Sequence, residues 1–380
     1  MSLRPSSLRS ALAPIALGAV LLGGLLACGG GDDGADAPGA APGAPTAPAT
    51  TATAPASPTP SSTRPPTPTP TSTPAQAAPF GGRHVVAISI DGLNPDALRT
   101  LGRDGAPAIW SLIDRGTATL DARAEVEQTV TLPNHVGMVT GRPIDPAAGG
   151  HGVTWNDDLP GRTVQQAAGE PVASVFDVVH DAGGSTAVFA GKTKFDLLEA
   201  SWPDAIDTID ILDDLPQLTT DVTADLADQH RTFTFVHVAE PDLVGHVEGW
   251  LSPAYLDAVR RSDAFVGRLL EVVDATPQLR DHTVVVLTAD HGGRGLDHGD
   301  PALADDYTIP FVVAGDGVPA GDLYDLSPGL RDPGTGRPSY AGPQPIRNCD
   351  LANVSLRALG LAEVPGSRCV GARSVPVRRP

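Results

Sequence analysis

Residues 85–92 read VVAISIDG, and this stretch decides the fold. Its first part, Val85–Ile90, is an uninterrupted apolar run, which is typical of a strand buried on both faces of a parallel sheet. The run ends at Asp91, which is followed by Gly92. A carboxylate at the carboxyl end of such a strand lies where open α/β sheets bind their ligands, although a turn aspartate gives the same pattern. The stretch predicts an α/β fold with Asp91 as a candidate ligand.

Further apolar runs predict the rest of the sheet. Strands are expected at Thr117–Ala124, Thr186–Ala190, Thr232–Val238, Thr283–Thr288 and Ile309–Ala314. The clearest helix runs from Ser252 to about Val273, with Ser252 as its N-cap and an apolar stripe along one side. We therefore predict one domain over residues 80–380, with a mostly parallel central sheet flanked by helices on both faces.

The first 79 residues have a different composition. Arg4 and Arg9 precede an apolar run that ends in Leu-Leu-Ala-Cys at Cys28, which resembles the cleavage and lipidation site of bacterial lipoproteins. Residues 1–27 are thus predicted to be a signal peptide, and residues 28–79, rich in Pro, Ala and Thr, a disordered tether. We expect export and lipid anchoring to the cell envelope, at the periplasmic face of an outer membrane or the cell surface. An ordinary secretion signal is the alternative.

The chain is strongly acidic, with a formal net charge of −19. Such a surface argues against binding a nucleic acid polymer, which requires a basic face. A small anionic substrate can still bind where metal cations dominate the local field. Cys349 and Cys369 are expected to form a disulfide in an exported protein, with two buried thiols as the alternative.

A candidate nucleophile lies in residues 128–141, QTVTLPNHVGMVTG. Thr131 precedes a helix that we expect to begin at Asn134, with Pro133 in an extended approach and Asn134 as the cap. A threonine hydroxyl is a poor nucleophile at neutral pH unless a base or a metal activates it. The sequence must therefore supply such a group near Thr131.

Candidate metal ligands follow three of the predicted strands. Because the carboxyl ends of parallel strands meet at one edge of a sheet, we expect their side chains to converge. Carboxylate and imidazole groups together suit zinc. The candidates are Asp91 after the first strand, Asp242 and His246 after TFTFVHV, and Asp290 and His291 after TVVVLT.

Four segments in this order resemble the alkaline phosphatase superfamily: SIDGL at 89–93, TLPNHVGMVTG at 131–141, EPDLVGH at 240–246 and TADHGG at 288–293. The Thr-x-Pro-Asn-His form is most similar to the nucleotide pyrophosphatase/phosphodiesterase branch, and the resemblance covers roughly residues 83–372. It implies two zinc ions, with Thr131 as the nucleophile. Asn134, which lies beside Thr131 in the sequence, is expected to donate to a phosphate oxygen. The resemblance implies one ion on Asp91, Asp290, His291 and Thr131, and the other on Asp242, His246 and His298.

The resemblance implies a hydrolase of small phosphate esters, with a phosphodiesterase or nucleotide pyrophosphatase as the first expectation. No arginine stands where monoesterases of the superfamily bind a dianionic phosphate, which favours a diester. Lys192 and Lys194 keep a phosphomonoesterase or phosphonate hydrolase open, since some threonine-dependent monoesterases use a lysine. A catalytically silent binding lipoprotein is the non-enzymatic alternative. The other histidines, His237 among them, are not required as ligands.

Overall fold

The computed structural model of the protein describes residues 79–380. The predicted signal peptide, Cys28 and all of the predicted tether except Pro79 lie outside the described residues. Within the described part, no helix is both long enough and apolar enough to cross a membrane.

A single eight-stranded sheet forms the centre of the domain, in the order β4-β3-β5-β1-β6-β7-β2-β8. Strand β7 runs antiparallel to both its neighbours, and every other neighbouring pair is parallel. The predicted mostly parallel sheet is therefore confirmed. The strands are β1 His84–Ile90, β2 Thr117–Arg123, β3 Thr186–Ala190, β4 Thr208–Ile211, β5 Phe233–Val238, β6 Thr283–Thr288, β7 Thr308–Gly315 and β8 Gly321–Asp322.

Helices cover the sheet. Strands β3, β5 and β6 are buried along their whole length, as expected for apolar strands with helices on both faces. The helices are α1 Pro95–Gly105, α2 Pro107–Arg115, α3 Thr131–Thr140, α4 Val164–Ala168, α5 Val175–Asp181, α6 Asp196–Ser201, α7 Leu215–Gln229, α8 Glu240–Glu248, α9 Pro253–Ala275, α10 Ala304–Tyr307, α11 Leu323–Leu326 and α12 Leu351–Ala358. Helix α9 packs with α2, α7 and α8, whereas α12 packs with α3 and α5.

Helix α3 begins earlier than the sequence predicts. It starts at Thr131, and its N-cap is Val130 in an extended conformation, without a side-chain cap. Pro133 is tolerated because the N–H groups of a first helical turn have no partner within the helix. The prediction that Asn134 caps this helix is therefore wrong, and Thr131 itself is the first helical residue.

The predicted disulfide is present between Cys349 and Cys369, with their Cα atoms 6.0 Å apart. Residues at or next to the disulfide form hydrogen bonds with both ends of α3. Asn348 donates from Nδ2 to Asn134 Oδ1 at 2.9 Å, and the Cys369 N–H donates to the carbonyl of Gly141 at 2.9 Å. The bridge thus ties the C-terminal segment to the helix that carries Thr131.

Candidate active site

Three buried carboxylates converge at the carboxyl edge of the sheet. Asp91 directly follows β1, Asp290 lies just beyond β6, and Asp242 lies in the first turn of α8, which follows β5. Because β5, β1 and β6 are neighbours, the three residues leave the sheet side by side. Their exposed fractions are 0 %, 0 % and 3 % for Asp91, Asp290 and Asp242.

Asp91 and Asp242 are each held through one carboxylate oxygen. Lys192 Nζ donates to Asp91 Oδ2 and to Asp242 Oδ2, each at 2.6 Å, and His237 Nε2 lies 2.8 Å from the same Asp91 oxygen. Among the described residues, Asp91 Oδ1 and Asp242 Oδ1 have no hydrogen-bond partner. Each carboxylate therefore keeps one buried oxygen for a ligand.

Asp290 is arranged in the same way by backbone groups. Its Oδ1 accepts the N–H of Gly92 and that of His291, both at 3.0 Å. Its Oδ2 lacks a hydrogen-bond partner within the described part of the chain. An unsatisfied buried oxygen is costly unless something binds it, and three in one place indicate a cation site.

The three candidate histidine ligands are oriented alike. In each ring Nδ1 lies within hydrogen-bond distance of a backbone carbonyl, which places the proton there and leaves Nε2 free to bind a metal. His246 and His298 bring their Nε2 atoms to 3.1 Å from each other. The carbonyl partners are Leu296 for His246 at 3.2 Å, Gly292 for His291 at 2.8 Å and Thr129 for His298 at 2.5 Å.

These atoms form two groups, each with its ligand atoms within 4.8 Å of one another. One group contains Asp91, Asp290 and His291, and the other contains Asp242, His246 and His298. The grouping is the same as the two ligand sets that the resemblance implies. A third group, Glu125 with Cys349 and Cys369, has its cysteines in the disulfide and offers no thiolate.

The electrostatics of the site suit a divalent cation. Burial raises the pKa of Asp290 well above its usual range, and the neighbouring Asp91 carboxylate raises it further. Burial and the adjacent His298 lower the pKa of His291 to about 3, so this ring is neutral at pH 7. Burial lowers the pKa of Lys192, but Asp91 and Asp242 outweigh it, and the net shift is upward. The Asp242 carboxylate, in contrast, raises the pKa of the exposed His246. Converging carboxylates beside the neutral His291 ring fit a bound metal ion.

Thr131 faces this cluster from the first turn of α3. Its Oγ1 lies 3.5 Å from Lys192 Nζ, the same ammonium that contacts Asp91 and Asp242. His135 Nδ1 lies 2.7 Å from the Thr131 carbonyl, and His135 Nε2 lies 2.8 Å from Ser89 Oγ in β1. The nucleophile candidate is thus tied to the central strand, at a helix N-terminus that favours an anion.

Asn134 does not take the role that the sequence suggests. Its Nδ2 donates to the carbonyls of Gln128 and Val130, both at 2.9 Å. Its Oδ1 accepts the Glu125 N–H at 3.0 Å and Asn348 Nδ2 at 2.9 Å. An amide side chain has two donors and two acceptor positions, and all four are occupied. This contradicts the prediction that Asn134 donates to a phosphate oxygen.

Asn156 is an amide beside Thr131, the candidate nucleophile, and the sequence analysis did not predict this contact. Its Oδ1 accepts the Leu132 N–H at 2.9 Å and lies 3.2 Å from Lys194 Nζ. It belongs to an irregular loop, and no local spacing rule links that loop to Thr131. The contact between Asn156 and Leu132 depends on how the loop folds back on α3, and sequence periodicity does not predict the path of a loop.

A cavity of about 460 Å³ adjoins this side of the site. Leu132, Trp155 and Lys194 line it, and the guanidinium of Arg162 lies 4.7 Å from the centre of the Trp155 ring. The lining also contains four acidic residues, so the cavity combines apolar surface with side chains of both charges close to Asn156; the acids are Asp157, Asp158, Asp196 and Glu199.

The family model of the type I phosphodiesterases / nucleotide pyrophosphatases matches residues 85–308, which contain Thr131 and all of the candidate ligands. The chain belongs to this family. As a type I phosphodiesterase / nucleotide pyrophosphatase family member it is a phosphoric ester hydrolase by descent. No curated protein sequence matches it.

Solved structures similar to this family member share its fold. Murine ectonucleotide pyrophosphatase/phosphodiesterase 5, inactive and in complex with AMP, aligns with a TM-score of 0.54 at 14% identity, over 74% of this chain and 96% of that chain. A 2-O GAG sulfatase aligns with a TM-score of 0.58 at 14% identity, over 78% and 75%. The lipoteichoic acid synthase LtaP from Listeria monocytogenes aligns with a TM-score of 0.54 at 12% identity, over 78% and 76%.

Proposed function

We propose that this family member is a phosphodiesterase or nucleotide pyrophosphatase with Thr131 as its nucleophile and two zinc ions as cofactors. Asp91, Asp290 and His291, with Thr131, would hold one ion, and Asp242, His246 and His298 the other. One observation carries the proposal: two groups of ligand atoms, all buried except those of the exposed His246, lie beside the Thr131 hydroxyl. Within the described part of the chain, one oxygen of each of the three carboxylates and Nε2 of His291 have no hydrogen-bond partner.

Each group at the site has a separate role in an in-line displacement at phosphorus. Thr131 Oγ1 forms a bond to phosphorus while the bond to the leaving alcohol breaks, and water then hydrolyses the phosphothreonine and restores Thr131. When bound, the zinc ions would supply Lewis-acid stabilisation of the attacking and leaving oxygens. Asn156, through Nδ2, and the backbone N–H of Thr131 would stabilise charge on the non-bridging oxygens, since the Leu132 N–H already donates to Asn156 Oδ1. The adjoining cavity receives the nucleoside or other organic part of the ester.

The test compares hydrolysis of bis-p-nitrophenyl phosphate with that of p-nitrophenyl phosphate by the purified protein, with Zn²⁺ and after EDTA treatment. We expect the diester to be preferred, and activity to be lost with EDTA and restored with Zn²⁺. Thr131→Ala should abolish turnover, whereas Thr154→Ala, an exposed threonine in the Asn156 loop, is the matched control. Zinc-independent turnover, or an active Thr131→Ala variant, would reject the proposal.

A phosphomonoesterase is the second candidate, and two lysines favour it. Lys192 Nζ lies 3.5 Å from Thr131 Oγ1, and Lys194 Nζ lies 3.2 Å from Asn156 Oδ1. Two cations beside the nucleophile suit the extra negative charge of a monoester dianion. If this candidate is correct, Lys194→Gln lowers kcat/KM for p-nitrophenyl phosphate more than for the diester. If Lys194→Gln does not change the ratio of kcat/KM for p-nitrophenyl phosphate to kcat/KM for the diester, the phosphomonoesterase candidate is rejected and the diester assignment stands.

We also propose export and anchoring through an acylated Cys28, which the sequence Leu-Leu-Ala-Cys supports. Growth with a radiolabelled fatty acid should label the wild-type protein but not Cys28→Ala. Equal labelling of both would contradict the proposed anchor.

A further inference from the structure

His237 is a buried histidine at the inner edge of the candidate site, to which the family resemblance assigns no role. It is the penultimate residue of β5 and has no exposed surface. Its Nε2 lies 2.8 Å from Asp91 Oδ2, and its Nδ1 lies 3.2 Å from the backbone nitrogen of Gly191. The ring thus bridges a candidate metal ligand and the residue that precedes Lys192.

These contacts determine which ring nitrogen carries the proton. The Gly191 N–H is a donor, and it lies 3.2 Å from both the carbonyl and Nδ1 of His237. Nδ1 must therefore present its lone pair, and the proton of the neutral ring is on Nε2. It follows that Nε2–H donates to Asp91.

The plane of the ring is set by its aromatic neighbours. Phe195 lies against it with ring centroids 4.3 Å apart, and His135 meets it edge-on at 4.8 Å. Phe195 closes the short turn that follows Lys192. The segment 191–195 therefore contacts His237 both through the Gly191 backbone and through the Phe195 side chain.

We propose that His237 is a positioning residue for the metal group of Asp91, Asp290 and His291. By binding Asp91 Oδ2, it leaves Oδ1 free and directed at that group, where Oδ1 lies 3.4 Å from His291 Nε2. Its contact with Gly191 sets the position of Lys192, which shares the same Asp91 oxygen. The inference rests on the proposed metal site, and it adds a residue that acts on that site only through Asp91.

Two substitutions separate the hydrogen bond from the packing. His237→Phe keeps an aromatic ring against Phe195 but removes the donor to Asp91, whereas His237→Gln keeps an N–H donor near the place of Nε2. His84→Gln is the matched control, because His84 lies at the opposite end of the neighbouring strand β1, where its Nδ1 lies 2.9 Å from the Arg231 carbonyl. Circular dichroism and melting curves of each metal-free protein establish folding.

Zinc affinity is measured on the metal-free proteins by chelator competition, and the visible spectrum of bound Co²⁺ reports ligand geometry. Partners that orient metal ligands typically change affinity about 10–100-fold when removed. For His237→Phe we expect zinc affinity to fall by a factor in that range at one of the two sites. The fall should be smaller for His237→Gln, and His84→Gln should keep the wild-type affinity. Saturating Zn²⁺ should restore part of the lost diester hydrolysis.

Wild-type zinc affinity and an unaltered Co²⁺ spectrum in folded His237→Phe would overturn the inference. If His237→Phe does not fold, a His237→Gln variant that loses as much affinity as Asp91→Ala would overturn it instead, since the retained donor should preserve the site. Wild-type protein that binds two zinc ions but hydrolyses no ester would contradict the proposed function alone. The metal titrations would then still decide the role of His237.

Discussion

At the scale of single residues, contacts within the protein orient the candidate metal ligands. In Asp91, Asp242 and Asp290, one oxygen is bound by protein groups and the other is free. Ordering a flexible side chain costs conformational entropy, and here folding has already met that cost. We therefore expect tight metal binding. The number of ions that a variant loses should depend on which ligand is removed.

The first prediction separates ligands from nucleophile. Asp242→Ala should lose one of two zinc ions, because two histidines alone would remain in its group. Thr131→Ala should retain both ions and lose turnover, since Asp91, Asp290 and His291 still provide three ligands. Elemental analysis of the purified variants, together with diester hydrolysis, measures both effects. Loss of zinc from Thr131→Ala would contradict the proposed ligand sets.

The second prediction concerns the two asparagines. Asn156→Ala should lower kcat by about 100-fold with little change in melting temperature, as for loss of a transition-state donor. Asn134→Ala should instead lower the melting temperature, because it leaves the Glu125 N–H and Asn348 Nδ2 without their acceptor. Steady-state kinetics and thermal unfolding of both variants check this. A lower kcat for Asn134→Ala, with a lower melting temperature for Asn156→Ala instead, would support the role first expected for Asn134.

The sequence predicted the convergence of the candidate metal ligands but not the amide beside Thr131, and the reason is physical. Asp91, Asp242 and Asp290 follow apolar strands, so their convergence follows from sheet geometry. Asn156 reaches the nucleophile through an irregular loop, whose path depends on tertiary packing. Asn134 was assigned from its nearness to Thr131 in sequence, but a helix starting at Thr131 turns its side chain into a structural network.

At the scale of elements, Glu125 lies between β2 and α3 with no exposed surface. Burial raises its pKa from 4.5 to about 8, although a hydrogen bond from Tyr340 opposes the shift. An alanine at Gly137 in α3 would place its Cβ 2.6 Å from Glu125 Oε1. The helix and the carboxyl group are therefore packed without spare room, and the carboxyl group is neutral at pH 7.

This raised pKa gives the third prediction. Between pH 4.5 and about 8 the folded protein keeps a proton on Glu125 that the unfolded chain releases, so the free energy of unfolding falls as the pH rises. The contribution is at most roughly 1.4 kcal/mol per pH unit. Glu125→Gln should flatten the dependence on pH, whereas Glu199→Gln, an exposed control, should not. Denaturant unfolding from pH 5 to 8 measures the free energy of unfolding. If Glu125→Gln leaves its slope against pH unchanged, the raised pKa of Glu125 is contradicted.

Elements with a strong apolar pattern were predicted well, and those without one were missed. The helix expected from Ser252 to about Val273 is present as α9, and the four apolar runs of the central sheet are β1, β3, β5 and β6. Strand β4 reads TIDI and is only half-buried, because it lies at the edge of the sheet. Its short pattern gives too weak a period to distinguish it from a loop.

At the scale of the whole molecule, bound ions should stabilise the fold, which is the fourth prediction. A ligand that binds only the folded state adds about 2.7 kcal/mol to the free energy of unfolding at 100 times its dissociation constant. Zinc also reduces repulsion among the buried carboxylates, in a chain with a net charge of −19. The melting temperature should fall after EDTA treatment and recover with Zn²⁺. In Asp242→Ala the recovery should be smaller, and a melting temperature indifferent to zinc would contradict the metal site.

The site residues are far apart in the chain although they are adjacent in space. Asp91 and His298 belong to the same cluster, yet most of the domain is synthesised between them. No truncated product that stops before His298 can present a complete set of ligands. With the proposed ligand sets, both metal groups can therefore be complete only after His298 has been synthesised, which would make metal loading a late event in biogenesis.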